Sequence, residues 1–590
     1  MRKNRFTLLF VIFTVFILIL PFTTQAKSNI VNPNEVYSYS KMIENIKKLE
    51  RAYPDLIKSK VIGKSEYGRN IYAFSLGKGK ATVFINGSHH AREWLTTSLN
   101  MYMAENYAIA YKKNQKINGY DARKILDSTT IWFVPMVNPD GVTLQQKGLS
   151  AFPKHLHTSL IKMNEGSKNF KRWKANGKGV DLNRQYDAGW KSIIGPSTPR
   201  YKNYKGKAPH TASEVKAVLK LVEEINPEMT VAYHSTGKIL YWNYKQNSKD
   251  YKRDHVYAKQ IGRMTGYRLV YPGKNPSGGG FTDWFIQQKK KPGFTPEISR
   301  YYTETSPPLS EFKGAWSENK AVGLYVAKEG AKLYETRLTK KANELKNKLA
   351  SLNSSSRKLK DYYYTNIQSA NDHKINTKFV TLYNSTEKQL KELEKLSNKY
   401  PTKFQEQHDV YISYIKTRLS YSKAYMDGVK LGEKTEQNHL TLISVLEKGI
   451  LDEATINRIN SMEKTIPSLE AKMDKMYGKL VRKLAKDKYI TPGKKTIESI
   501  KYDIERYNTI IQMEKDLNEG NLELVSKNLD LLTTLEQKSN KVYPLIEQYL
   551  NEKKQWIVDE LNKRTPTEED IEVKSQENSL EDSQESINKN

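Results

Sequence analysis

The stretch ATVFING at 81–87 runs directly into SHHAREW at 88–94. The first is a short apolar run of strand type, and a helix is predicted to begin near Trp94. At the turn between them His90 and Glu93 stand three residues apart, a spacing at which an imidazole and a carboxylate can reach one ion. Alone, a His and a Glu at this spacing are more often a capping or surface pair, so the pattern needs a third ligand. His89, beside His90, offers a competing register, and the spacing to Glu93 favours His90.

Two further strand-like runs end on chemistry. MTVAY at 229–233 leads into His234, and PGFTPEISR at 292–300 carries Glu297. In an open α/β sheet, ligands gather at the carboxyl edge of the strands, so separate strands deliver His90 with Glu93, His234 and Glu297 to a common crevice. Around them, TTIWFVPMVN (129–138) alternates with the amphipathic stretches WLTTSLNMYMAENYAIA (94–110) and TASEVKAVLKLVEEI (211–225), which argues an α/β domain.

Near residue 335 the construction changes. Seven of eight tryptophans precede residue 317, and sixteen of twenty-one prolines precede residue 336. Beyond, apolar residues recur at steps of three and four: Leu338, Ala342, Leu345, Leu349, Leu352; Leu469, Met473, Met476, Leu480; Ile497, Ile500, Ile504, Tyr507, Ile511. This periodicity predicts an all-α helical bundle or coiled-coil-like domain, interrupted at Pro401, Pro467, Pro492, Gly520–Asn521 and Pro544. The segment from Thr565 holds eight acidic residues against two lysines and few large apolar ones, the composition of a disordered tail.

The 590 residues carry 97 Lys plus Arg against 65 Asp plus Glu, a net charge of +32, with 38 % apolar and 27 % charged residues. A polytopic membrane protein is excluded by that composition. No cysteine is present, which excludes disulfide scaffolds, thiol catalysis, iron–sulfur clusters and thiolate-bound zinc, so any metal must use His, Asp or Glu. MRKNR followed by FTLLFVIFTVFILILPF and TTQA reads as a signal peptide with Thr24 and Ala26 at the cleavage site; the alternative is an uncleaved anchor. Export without cysteine suits a secreted or cell-wall-associated protein of Gram-positive type. A basic exported body is drawn to anionic cell-wall polymers more than to nucleic acid, the alternative being a lysine-rich surface that serves solubility alone.

SHHAREW, GVDLNRQYDAGW (179–190), YHSTG (233–237), GGGFTDWF (278–285) and FTPEISR (294–300), in this order, resemble the zinc metallocarboxypeptidase family of carboxypeptidase A type over residues 36–335. The resemblance implies a mixed central sheet flanked by helices, a zinc ion held by His90, Glu93 and His234, and Glu297 as general base. It places Arg92 along the substrate cleft and gives Asn183 and Arg184 the substrate's terminal carboxylate, a role suited to a planar guanidinium. Thr282 takes the position that sets side-chain preference; being small and neutral, it offers no acid to select Lys or Arg.

Two departures stand out. Lys174, in RWKAN, occupies the place of the family's carbonyl-polarising arginine, and Arg172 is the alternative for that role. The family's mobile tyrosine aligns near Asn275, with Tyr271 four residues earlier. WKAN with GVDLNRQ also resembles the bacterial branch that cleaves the γ-D-glutamyl–diaminopimelate bond of peptidoglycan peptides. Asp283 and Trp284 match a family string and are assigned no catalysis. IGKSEYGR (62–69) is not a phosphate loop, because Lys58 stands where its first glycine belongs. Gly278–Gly280 reads as a flexible loop near substrate.

The predicted organisation is therefore a signal peptide (1–26), a catalytic domain (36–335), a helical accessory domain (336–564) and an acidic tail (565–590). The expected function is secreted zinc-dependent hydrolysis of peptides with a free terminal carboxylate. The alternatives are a γ-D-glutamyl–diaminopimelate peptidase and a non-catalytic surface binding protein.

Overall fold

A computed structural model describes residues 29–273 and 276–565 together with Glu572. The expected signal peptide, nearly all of the acidic tail and Asn275 lie outside the described residues. The chain divides between Thr339 and Lys340 into two compact units.

Among the described residues the first unit is built on ten strands: β1 Ile57–Lys64, β2 Asn70–Leu76, β3 Ala81–Gly87, β4 Lys116–Ile117, β5 Tyr120–Asp121, β6 Thr129–Val134, β7 Thr230–Ser235, β8 Ile239–Tyr241, β9 Arg268–Leu269 and β10 Gly293–Ile298. Eight form a mixed sheet in the order β1-β2-β6-β3-β7-β10-β8-β9, while β4 and β5 make a small ribbon. The central strands β6, β3, β7 and β10 run parallel, with antiparallel partners β2 and β8 on either side. Alternation along β3 explains the two-sided core. Val83 and Ile85 enter one apolar cluster with Leu95, Leu99 and Met103, and Phe84 enters the opposite one with Val215, Val218 and Val222.

The helix Leu95–Lys112 departs from the amphipathic reading. It is buried around most of its circumference, polar residues included. Among those inward polar groups, Thr97 Oγ1 donates to the Pro135 carbonyl at 2.7 Å, and Glu105 accepts from the backbone N–H of Ile30 and Val31 at 2.7 and 2.9 Å. Helix Ser213–Ile225 is amphipathic, with its Val215, Val218, Leu221 and Val222 face buried.

The second unit is helical, and from Thr377 on its helices are Thr377–Ser397, Thr402–Glu447, Glu453–Asp474, Lys479–Tyr489, Thr491–Asn518, Leu522–Lys538 and Pro544–Arg564. Pro401 caps a helix start, Pro492 and Pro544 sit in first turns, and Gly520 lies between helices. Pro467 does not break its helix. It lies inside Glu453–Asp474, where buried Ile466 and Leu469 on either side hold the helix through the missing hydrogen bond. The stripe Leu469–Met473–Met476–Leu480 is not one helix face either, because the chain turns at 475–478 and leaves Leu480 48 % exposed. No helix among the described residues is long and apolar enough to cross a membrane.

Candidate active site

β3, β7 and β10 are neighbours, and their carboxyl ends assemble the cluster. His90 and Glu93 follow β3 in the turn before helix Leu95–Lys112, and His234 and Glu297 are direct cross-strand partners on β7 and β10. His90, Glu93 and His234 are buried, and a ligand atom from each lies within 4.8 Å of the others. His90 Nδ1 is 2.7 Å from Glu93 Oε1 and 3.1 Å from His234 Nδ1, which is 2.9 Å from Glu93 Oε2. The Ser235 backbone N–H also donates to Glu93 Oε2, at 3.2 Å.

Asp181 completes the geometry, and sequence reading missed it. Its Oδ1 is 3.1 Å from His90 Nε2 and also accepts the Asn183 backbone N–H at 3.0 Å, while Oδ2 pairs with Lys174 Nζ at 3.1 Å. A carboxylate at Nε2 fixes the proton there and leaves Nδ1 as the lone-pair nitrogen. The donor set suits zinc: two imidazole nitrogens and one carboxylate converge on a single point, and one of the imidazoles is oriented by a carboxylate behind it.

The electrostatics agree. Burial acts to raise Glu93, but His90 and His234 outweigh it and hold the carboxyl well below its ordinary range. Burial also opposes ionisation of Asp181, which Lys174, followed by His90, keeps well below the usual value. Burial lowers His90, favouring its neutral form. Glu297 is pushed up to about 8 by burial, with His234 opposing and Glu93 adding to the rise. A divalent cation held by His90, Glu93 and His234 would oppose that rise and favour the carboxylate.

Of the two candidate cations, Lys174 is the one brought to the cluster. Its ammonium touches Asp181 and approaches Asn203 Oδ1 at 3.4 Å. Arg172 turns away: Nη2 donates to Glu165 Oε2 at 2.8 Å and the Asn164 carbonyl at 3.1 Å, with the guanidinium 3.9 Å from the centre of the Tyr201 ring. Arg92 donates to the Arg172 carbonyl at 3.2 Å.

Asn183 and Arg184 follow Asp181 in a short 3-10 turn. Asn183 Oδ1 accepts the Phe281 N–H at 3.0 Å, and Arg184 Nη1 donates to the Asn183 carbonyl at 2.9 Å. Thr282 is buried with its hydroxyl 2.6 Å from that of Thr295 on β10, so it presents no charge. Asp283 accepts the Gly280 N–H at 3.2 Å, a capping contact. The glycine run is pinned, contrary to the flexible reading. Gly279 donates to the Ala188 carbonyl at 2.8 Å and accepts from Tyr186 N–H at 3.1 Å. With φ at +77° and Ile193 Cδ1 overlapping the place where a Cβ would lie, only glycine fits there. Tyr271 does not join the cluster: its hydroxyl is 3.0 Å from His255 Nε2 and its ring packs against Trp242.

The zinc carboxypeptidase profile matches residues 42–322, and the SbsC C-terminal domain profile matches 364–494. The chain is 35 % identical over 301 residues to gamma-D-glutamyl-L-diamino acid endopeptidase 1 of Lysinibacillus sphaericus, covering 50 % of this chain and 73 % of that protein. It is 32 % identical over 276 residues to the uncharacterized protein YqgT of Bacillus subtilis, covering 46 % and 72 %. A solved structure of thrombin activatable fibrinolysis inhibitor aligns with TM-score 0.43 at 20 % identity over 51 % of this chain and 75 % of that one. With its ligand group assembled and two relatives matched over more than two thirds of their length, this chain belongs to the zinc carboxypeptidase family.

Proposed function

We propose that the protein is an exported zinc peptidase that hydrolyses the bond between γ-D-glutamate and a diamino acid in peptidoglycan peptides. The observation that carries this reading is the 35 % identity to an endopeptidase named for that bond, across 73 % of its length. The neutral Thr282–Thr295 pair is compatible with it, since it offers no acid to repel the side-chain carboxylate of diaminopimelate. Export rests on the cationic and apolar amino-terminal sequence.

In this reading His90, Glu93 and His234 hold the zinc ion, which when bound supplies Lewis-acid polarisation of the scissile carbonyl and acidifies water. Glu297 takes a proton from the attacking water and delivers it to the leaving nitrogen. Lys174 faces the developing oxyanion with the N–H it does not spend on Asp181 and Asn203. Arg184 and Asn183 receive the carboxylate of the residue released.

Two variants probe the supporting residues. Lys174→Met is expected to lower kcat by about 10²–10³ with a smaller change in KM, and Lys174→Arg to restore most of it, because the charge matters more than its shape. Steady-state kinetics on one soluble peptide decide this; wild-type kcat in Lys174→Met would remove Lys174 from the reaction. Asp181→Asn is expected to weaken zinc binding by about 10–100-fold, read by competition with a chromogenic chelator.

The substrate is tested by incubating purified protein with L-alanyl-γ-D-glutamyl-diaminopimelate and ordinary peptides in one pot, with products weighed by mass spectrometry. Release of diaminopimelate from the first alone supports the proposal. Removal of the last residue from the ordinary peptides alone would make the enzyme a general carboxypeptidase instead.

A further inference from the structure

The row of residues that carries the catalytic cluster does not stop at Glu297. Across the sheet, His234 on β7 is the partner of Glu297 on β10, Glu297 is the partner of Ile239 on β8, and Ile239 is the partner of Arg268 on β9. Cross-strand partners share a face. Packing shows which face it is: Phe294, Ile298 and Leu240 enter one buried cluster with Leu269 against it, so Glu297, Ile239 and Arg268 belong to the opposite side. Thr295 and its partner Tyr241 lie one step along on that same side, and the Thr295 hydroxyl meets that of Thr282.

Arg268 is thus a cation on the catalytic face, two strands from Glu297, or about 10 Å by ordinary strand spacing. It is exposed, and among the described residues its guanidinium has no ion-pair or hydrogen-bond partner. Glu318, which serves the residues on either side of this strand pair, is taken by Lys238 and by the Tyr267 hydroxyl at 2.9 Å. Tyr241 lies in the field of both arginines. Burial raises its phenol, Glu297 adds to the rise, Arg184 opposes it, Asp283 adds again and Arg268 opposes. The Tyr241 hydroxyl also has no hydrogen-bond partner among the described residues.

With the terminal carboxylate at Asn183 and Arg184, the side chain of the released residue runs past the neutral Thr282–Thr295 pair toward Tyr241 and Arg268. Diaminopimelate differs from lysine by one carboxylate at the far end of that side chain. A guanidinium holds a carboxylate by two parallel charge-assisted hydrogen bonds and repels a bare ammonium. We propose, on the strength of the γ-D-glutamyl reading, that Arg268 receives the side-chain carboxylate of the released diamino acid, with the Tyr241 hydroxyl as a second donor, and so selects diaminopimelate over lysine. An arginine on an edge strand also discourages strand pairing, and that role alone gives no selectivity.

The test measures kcat/KM on two matched pairs, each differing only in the side-chain carboxylate. One pair is L-alanyl-γ-D-glutamyl peptides ending in diaminopimelate or lysine, and the other is ordinary alanyl peptides ending in 2-aminopimelate or norleucine. The wild-type enzyme is expected to prefer the carboxylate-bearing member by about ten- to a hundred-fold, and Arg268→Gln to bring that ratio to within about three-fold with zinc content unaltered. Arg268→Lys is expected to restore part of the preference, and Tyr241→Phe to lower it by about three- to ten-fold. A wild-type ratio in Arg268→Gln, or a wild-type enzyme that takes both members of each pair equally, would overturn the proposal. The two pairs separate its failure from failure of the reading beneath it. Hydrolysis of the γ-D-glutamyl pair without selectivity keeps the bond and removes the arginine. Selectivity that depends on Arg268 in the ordinary pair, with both γ-D-glutamyl peptides left intact, keeps the arginine and removes the bond. Cleavage of none of the four peptides would overturn both.

Discussion

Glu297→Gln is expected to lower kcat by about 10²–10⁴ while zinc stays bound. The residue stands directly across from His234 on the adjoining strand and is not one of the three that converge as ligands. Glutamine preserves its volume and can still donate or accept a hydrogen bond, but it cannot take a proton. The loss should therefore fall on kcat, with KM changed little and zinc content unaltered. Replacement by aspartate, which keeps the charge and withdraws it by one methylene, is expected to recover only part of the rate, since proton transfer depends on reach. Rapid-quench kinetics with metal analysis on the same preparations check this. A variant that lost its zinc would place Glu297 among the ligands instead.

The ligand variants fail differently. His234→Ala or Glu93→Gln is expected to weaken zinc binding by more than about 100-fold, beyond the cost of disturbing an orienting residue such as Asp181. Activity is then lost with the metal. Each substitution also changes the metal-free protein. Glu93 is a buried carboxylate held ionised by two imidazoles, and neutralising it removes the partner that raises His234. Removal of zinc from the wild-type protein by a chelator is expected to lower its melting temperature, because a ligand that binds only the native state stabilises it by an amount that grows with the logarithm of free ligand over its dissociation constant. The same chelator should leave the melting temperature of Glu93→Gln almost unmoved. Differential scanning calorimetry at fixed protein concentration separates the two outcomes.

Much of the catalytic unit was legible because strand ends are punctuated. An apolar run that stops on a histidine or a glutamate is unusual enough to read, and parallel strands necessarily bring such ends to one edge. Asp181 escaped because it ends no apolar strand, and an aspartate two residues before Asn183 reads as a turn cap, which it also is. The choice between Arg172 and Lys174 needed three dimensions. The two differ only in which neighbour they meet, Glu165 and Tyr201 for the first and Asp181 for the second.

The helical unit was legible in kind and less so in detail. Leu345, Leu349 and Leu352 are buried as their spacing predicts. Pro467 misled because packing on both sides outweighs one lost hydrogen bond. The turn at 475–478 was invisible to periodicity, because Met476 falls on the apolar stripe and is buried although it is not helical.

Titration of metal-free protein with zinc, following hydrolysis of L-alanyl-γ-D-glutamyl-diaminopimelate, tests the central claim most directly. Activity should be absent at the start, rise in proportion to added zinc and level off at one equivalent per chain, with Glu93→Gln showing no such rise. Full activity in the metal-free protein, or the same titration curve for Glu93→Gln, would contradict a zinc site made by His90, Glu93 and His234.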